Sequence, residues 1–406
     1  MNRFASSLIA AMTLLSAVLV AQTPVTSPTN KHNLSSSGPG PVKSTATTEI
    51  CIFCHAPHNT QPATPLWNQT GSTASYTTYS SSTMAATTVG VPTGSSKLCL
   101  SCHDGTVAIG STMSAGQLTM QGVTNGRLTG ASNLGTNLSD DHPISFVPVP
   151  GNEIVNPAPT SPVKLDPSGQ VQCTTCHDPH EMSTDTTTQK FLVTSNASSA
   201  LCLACHRTQY WSSNPSTHMT STKPFTSAQG AHTGYATVAT NGCESCHKPH
   251  TATAAQRTLK GVEEQTCTPC HGPNAVGRNI QAEFTKTYTH PTYSVTPSLH
   301  DPTESPTTPS HTLPEASAAT PRHAECEDCH NPHAVGLQTA YSTSTSFAQP
   351  AAPDNTTIGS PLQIFEQCRC AKWESTKAHS RCVIKVRLAG RSKGVDALLI
   401  PSLEQM

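Results

Sequence analysis

Seven times the chain writes Cys-x-x-Cys and follows it at once with His. The thiol pairs are Cys51 and Cys54, Cys99 and Cys102, Cys173 and Cys176, Cys202 and Cys205, Cys243 and Cys246, Cys267 and Cys270, and Cys326 and Cys329. The trailing histidines are His55, His103, His177, His206, His247, His271 and His330. C-x-x-C-H is the attachment signature of c-type haem. Both sulfurs form thioethers to the porphyrin edge, and the histidine reaches the iron from one face. With 20 histidines in 406 residues, about 5% of C-x-x-C pairs would carry a trailing His by chance at this composition. Seven in seven is not chance. Zinc binding by the C-x-x-C pairs would not require the invariant histidine. The pattern predicts seven covalently attached haem c groups.

An electron-carrying haem usually has both axial positions filled, so a second ligand is expected at each iron. Thirteen histidines remain outside the motifs, and several recur in register. The first, third, fifth and seventh motifs continue as His-x-Pro-His, giving His58, His180, His250 and His333. The motifs between them lack the Pro-His. A further histidine precedes each pair: His32, His142, His232, and one of His290, His300, His311 or His323. The methionines show no such register, so bis-His ligation and low potentials are favoured over Met ligation. Each Pro-His is too close to its own motif histidine to pass around the same porphyrin. It is expected to serve the neighbouring haem of its pair, and the upstream histidine the first haem. The distal candidates are therefore His32, His58, His142, His180, His232, His250 and, for the seventh iron, His323 or one of its neighbours. His218, His300 and His379 read as surface residues. Asp140 and Asp141 are placed to orient His142. Trp67, Tyr76 and Tyr79 are expected to pack on porphyrin.

The elements that position these residues must be unusual. Only 35% of residues are hydrophobic and 4% aromatic, with 33 prolines, against roughly 45–50% apolar in globular chains. Such a chain is too polar to offset its ordering entropy alone. The expected fold is irregular and haem-cored: short helical turns at the CxxCH motifs, mostly coil, little sheet. Periodicity of this kind signals a linear array. The predicted organisation is a signal peptide at 1–21, haem-pair units at 22–140, 141–225 and 226–285, a single-haem unit at 286–362, and a divergent basic tail at 363–406. That tail holds eight Lys/Arg and four Asp/Glu, net +4, against −5 for the rest of a chain of net charge −1. Cys368 stands where an eighth motif would begin, but the second Cys and the His are absent. The tail reads as a lost eighth site.

Arg3, the apolar run Leu8 to Val20 and Ala21 resemble a secretory signal, too short to span a bilayer. An exported protein, periplasmic or at the cell surface, is expected, with no transmembrane span. Nothing in the charge pattern points to nucleic acid.

Cys51 to His58 with Asn59, Pro65-Leu66-Trp67-Asn68, Leu98 to Val107 and Asp141 to Phe146 resemble the multihaem cytochromes c with doubled CxxCH motifs. The resemblance covers roughly residues 30–335. It implies an exported electron carrier with bis-His haems in close pairs, exchanging electrons with other redox proteins or extracellular acceptors. Some relatives form extracellular cytochrome filaments, and a subunit of such a filament is the alternative reading, with histidines at the ends such as His32 and His333 shared between subunits. No catalytic residue is assigned. A multihaem reductase would need a five-coordinate iron, and no motif replaces its His with Lys.

Overall fold

The computed structural model describes residues 24–282, except 59, 61–65, 82–83, 87–88, 152–153, 207–215, 254–255, 262 and 274–275, together with residues 332 and 333. The expected signal peptide, the tail, and most of the 286–362 unit lie outside the described residues. So do Cys326, Cys329, His330, Cys368 and the candidates His290, His300, His311 and His323.

The described chain is mostly coil, with short helices and very little sheet. Among the described residues five α-helices occur: α1 Gly94–His103, α2 Cys173–Cys176, α3 Thr217–Thr220, α4 Val238–Asn241 and α5 Glu263–His271. The strands are two residues long. Lys43–Ser44 pairs antiparallel with Met120–Gln121, Thr77–Thr78 parallel with Asn137–Leu138, and Ser111–Thr112 antiparallel with Gly116–Gln117.

A chain this poor in apolar residues fills its interior with polar ones. Asn30, Asn33, Asn68, Gln69, Gln172, Asn241 and Asp185 are among the most buried side chains. They act as local staples for backbone that no ladder satisfies. The side-chain Oδ1 of Asn30 accepts from the His32 N–H at 2.8 Å, and Asn68 Nδ2 donates to the Ile52 carbonyl at 2.5 Å. Tyr235, Asn196, Thr187 and Thr188 all donate to the Asp185 carboxylate.

Successive units interlock rather than merely follow one another. α1 carries the second motif of the first unit, and it packs on α2, which carries the first motif of the second. The Cys173 N–H donates to Ser96 Oγ at 3.0 Å, three residues before Cys99. The next junction repeats this: the Cys243 N–H donates to Ser199 Oγ at 2.7 Å, three residues before Cys202. Gly242 makes room for that contact. A Cβ there would stand 1.9 Å from Ser199 Oγ, and its φ is +56°. The Cys99 and Cys173 thiols influence each other's ionisation, the pKa of Cys99 being raised and that of Cys173 lowered, and Cys202 and Cys243 behave alike. Consecutive motifs are thus neighbours in space at both junctions.

Candidate functional site

Each motif sits on a tight turn that gathers its three functional groups. The first motif of each described pair closes with a bond from the histidine N–H to the first cysteine's carbonyl. These are 2.7 Å for His55 to Cys51, 2.9 Å for His177 to Cys173 and 2.8 Å for His247 to Cys243. His206 does the same to Cys202 at 2.9 Å. An α-type turn of this kind turns both thiols and the imidazole toward one region.

A second segment then fixes each ring. His55 pairs with Trp67, His177 with Leu192 and His247 with Leu259 as isolated antiparallel bridges. Leu66, Phe191 and Thr258, just before those partners, all have positive φ, at 61°, 61° and 50°. For a residue with a Cβ this costs about 1–2 kcal/mol. The recurrence at three equivalent sites ties the strain to the site rather than to chance. In the second and third units the bend accompanies a backbone carbonyl aimed at the ring: His177 Nδ1 donates to Lys190 O and His247 Nδ1 to Arg257 O, both at 2.8 Å. In the second motifs of the first and third units, His103 Nδ1 donates to Ser132 O at 2.7 Å and His271 Nδ1 to Arg278 O at 3.2 Å.

The remaining histidines complete the pattern. His32 Nδ1 donates to Pro179 O at 2.9 Å, His142 Nδ1 to Pro143 O at 3.0 Å and His218 Nδ1 to Pro332 O at 3.0 Å. His180 Nδ1 lies 3.1 Å from Asp178 Oδ1, and His250 Nδ1 3.0 Å from Asp141 Oδ1. A carbonyl only accepts, so the proton is on Nδ1 and the Nε2 lone pair is free to bind metal. This is the orienting bond that metal-ligating histidines make. Burial keeps most of these rings neutral. It lowers His32, His177 and His206 to about 4, and lowers His103, His142 and His218 as well. His250 is the exception. Burial pulls it down too, but the Asp141 carboxylate outweighs this and its pKa is raised.

The rings meet in six pairs of nearly constant separation. Centroid distances are 6.2 Å for His55 and His180, 6.2 Å for His103 and His32, 6.1 Å for His177 and His250, 6.2 Å for His206 and His142, 6.2 Å for His247 and His333, and 6.1 Å for His271 and His218. The interplanar angles scatter from 8° to 90°. Ring stacking would fix the angle and bring the centroids closer; a metal between two imidazoles fixes the distance and leaves the angle free. Two metal–nitrogen bonds of about 2 Å plus the reach from nitrogen to ring centre give about 6 Å. The residues present therefore fit an axially bis-His iron, with a CxxC pair beside every motif ring.

The pairing differs from the one expected from chain proximity. His180 faces His55, not the neighbouring His206. His250 faces His177, and His333 faces His247. Every described Pro-His after the first thus reaches back one unit, to that unit's first motif. The upstream histidine turns to the second motif of its own unit, not the first: His32 to His103 and His142 to His206. In the third unit His218 fills this role, facing His271. It is half-buried there. His232 instead lies with Nε2 3.5 Å from Glu244 Oε1, and no histidine ring faces it among the described residues. Nor does one face His58. Asp141 orients His250 rather than His142. Trp67 packs edge-on against His55 at 6.0 Å, Tyr76 donates to Asp104 Oδ2 at 2.6 Å, and Tyr79 accepts from the Arg257 N–H at 3.0 Å. No signal in the third unit's sequence separates His218 from His232.

Residues 166–210 and 236–276 match the family model described as the doubled CXXCH motif. That match and the CxxCH turns on a mostly coil scaffold are consistent with the multihaem c-type cytochromes, and the motifs indicate covalently bound c-type haem. The matched segments hold the four motifs from Cys173 to His206 and from Cys243 to His271. No curated protein matches the chain significantly. No helix among the described residues is long and apolar enough to cross a membrane.

Proposed function

We propose that this chain is an exported heptahaem c-type cytochrome that carries electrons along a row of bis-His haems. The observation that carries the reading is the set of six imidazole pairs at 6.1–6.2 Å. His55 and His180 serve the haem tethered by Cys51 and Cys54. His103 and His32 serve that of Cys99 and Cys102, and His177 and His250 that of Cys173 and Cys176. His206 and His142, His247 and His333, and His271 and His218 serve the next three. The seventh haem belongs to Cys326, Cys329 and His330.

When bound, haem c supplies reversible one-electron chemistry at iron, while the protein sets spacing, ligation and electrostatics. The six histidine pairs would hold the iron from both sides and leave no open position for a substrate there, which supports a carrier over a reductase. Carbonyls and carboxylates on Nδ1 hold the rings, so little movement accompanies redox change. Cys99 against Cys173 and Cys202 against Cys243 bring successive tethers together, which supports a continuous row in chain order. Export rests on the signal-like residues 1–21 and suits covalent haem attachment outside the cytoplasm. The partners would be other redox proteins or extracellular acceptors.

Mass spectrometry of the mature holoprotein tests the count, and magnetic resonance tests the ligation. Seven haems and low-spin irons are expected. A lower count at full maturation, or a large high-spin population in intact protein, would contradict the reading. A subunit of a self-assembling filament is the second reading, favoured by one observation: the His58 ring faces no other histidine ring among the described residues.

A further inference from the structure

Charges close to the haem tethers change sign along the chain. Asp104 directly follows His103, is buried, and accepts from the Tyr76 hydroxyl at 2.6 Å. Asp141, also buried, stands behind His250, whose ring faces His177. Glu244 lies inside the Cys243–Cys246 motif, but its carboxylate turns toward Cys202. There Oε2 accepts from Asn196 Nδ2 at 2.6 Å, and Asn196 Oδ1 lies 3.6 Å from Cys202 Sγ. Oε1 lies 3.5 Å from His232 Nε2. The motifs at Cys99, Cys173 and Cys202 thus each have a buried or half-buried carboxylate beside them.

Lys260 reverses the sign in the third unit. Its Nζ donates to the carbonyl of Ser245 at 3.1 Å, inside the Cys243–Cys246 motif, and to that of Gln229 at 2.8 Å. Its N–H donates to the Cys246 carbonyl at 3.0 Å. Nζ also stands 4.4 Å over the centre of the buried Phe225 ring. Gly230 leaves room for the approach: its φ is +72°, and a Cβ there would lie 3.2 Å from Nζ. Two carbonyls and an aromatic face therefore hold the ammonium in place. Among the described residues no carboxylate lies within ion-pair distance of it, the buried Glu264 of α5 included.

This placement reaches both haem sites of the unit. The charge of Lys260 acts on Cys246 and on Cys270, which belong to successive motifs. Burial lowers its own pKa from the ordinary lysine value, the cost of holding a cation that no anion cancels. For the same reason its field is not cancelled at the tethers. A positive charge beside a haem favours ferrous iron, and a carboxylate favours ferric. At an effective dielectric of about 20, a unit charge about 12 Å from a redox centre changes its reduction constant about tenfold.

We infer that Lys260 makes the haems of Cys243–Cys246 and Cys267–Cys270 the electron sink of the described row, so that electrons pass from the first two units toward the third. The step moves one electron and no atoms: a ferrous iron upstream is oxidised as a ferric iron of the third unit is reduced. The inference rests on the haem-row reading proposed above and gives that row a direction.

Potentiometric titration of the full haem-loaded chain, followed by optical and magnetic resonance spectra, tests it. In wild type the components of highest potential should be those lost when Cys243 and Cys246, or Cys267 and Cys270, are replaced by Ala. Lys260→Met is neutral and similar in length. It should lower at least one of those components by about tenfold in reduction constant, about 59 mV for one electron. Lys260→Arg keeps the charge and should titrate like wild type, which separates charge from packing. A Lys260→Met titration that superposes on wild type would overturn the inference, as would highest potentials that survive loss of both third-unit tether pairs. The tether comparison needs no Lys260 variant, so poor haem loading of Lys260→Met cannot mask the answer. Failure of the underlying haem-row reading looks different: missing haems by mass, or high-spin irons, in wild type itself.

Discussion

The imidazoles of His180 and His55 lie 6.2 Å apart and within 12° of parallel, although they belong to different repeats. That relationship makes the repeat a chain of mutual obligations. In each of the three described units the ring of the first motif faces a histidine of the unit after it. Removing one ligand should therefore damage a haem whose cysteines lie far away in sequence.

His218 and His232 offer a direct contrast. His218→Ala should leave the haem of Cys267 and Cys270 high-spin, because His218 faces His271. His232→Ala should leave all spin states unchanged, since His232 turns to Glu244. Magnetic resonance on the two purified variants separates them. High-spin iron in the His232 variant would reverse the assignment.

Asp141 should tune one potential. Most Nδ1 groups here donate to neutral carbonyls, but His250 donates to the buried carboxylate of Asp141. A negative charge behind the ring favours ferric iron. Asp141→Asn keeps the shape and removes the charge. It should raise the midpoint of the haem at Cys173 and Cys176 by on the order of 50 mV, taking about 1 kcal/mol for the lost charge assistance. Spectroelectrochemistry would show one component moving. An unchanged titration curve would mean the carboxylate has no electronic role.

Asp185 should link stability to pH. Burial by itself pushes its carboxyl up, but donation from Tyr235 and the N–H groups of Asn196, Thr188 and Thr187 outweighs this, and the pKa ends below the usual value. A depressed carboxylate contributes stability that is complete above its unfolded value near pH 4 and lost as pH falls through the folded one. Thermal unfolding should weaken on acidification through that window. Asp185→Ala should cost about 2–3 kcal/mol near neutrality by stranding buried donors, and should flatten that acid dependence. A variant as stable as wild type would remove Asp185 from the scaffold.

Before haem attachment the cysteines are thiols, and two pairs influence each other's ionisation across the junctions. Mild oxidation of apoprotein should give Cys99–Cys173 and Cys202–Cys243 crosslinks in peptide maps. Bonds within C-x-x-C pairs instead would show that the junctions form only around haem.

Much of this was legible in the residue order. CxxCH names the thiols and one imidazole outright, because covalent attachment needs them in that order. The low apolar content and the prolines announce a coil scaffold, and the alternation of Pro-His announces a repeat. The partner of each Pro-His was not legible. Chain proximity favours the next haem of the same pair, but α1 packs on α2 and Ser199 caps Cys243, so the unit boundary in sequence is a tight contact in space. For the same reason Asp141 reaches His250 and passes over the adjacent His142. Positive φ at Leu66, Phe191 and Thr258 carries no glycine to betray it. Those bends are held by bonds to the motif turns, which only the folded chain displays.

The most direct measurement is the spin state of His180→Ala in two backgrounds. In the otherwise intact chain, the offset scheme predicts one new high-spin iron. In a chain that also carries Cys51→Ala and Cys54→Ala, and so lacks the first haem, it predicts no high-spin signal from the same substitution. A high-spin iron that persists without the first tether would place the ligand of another haem at His180 and contradict the scheme.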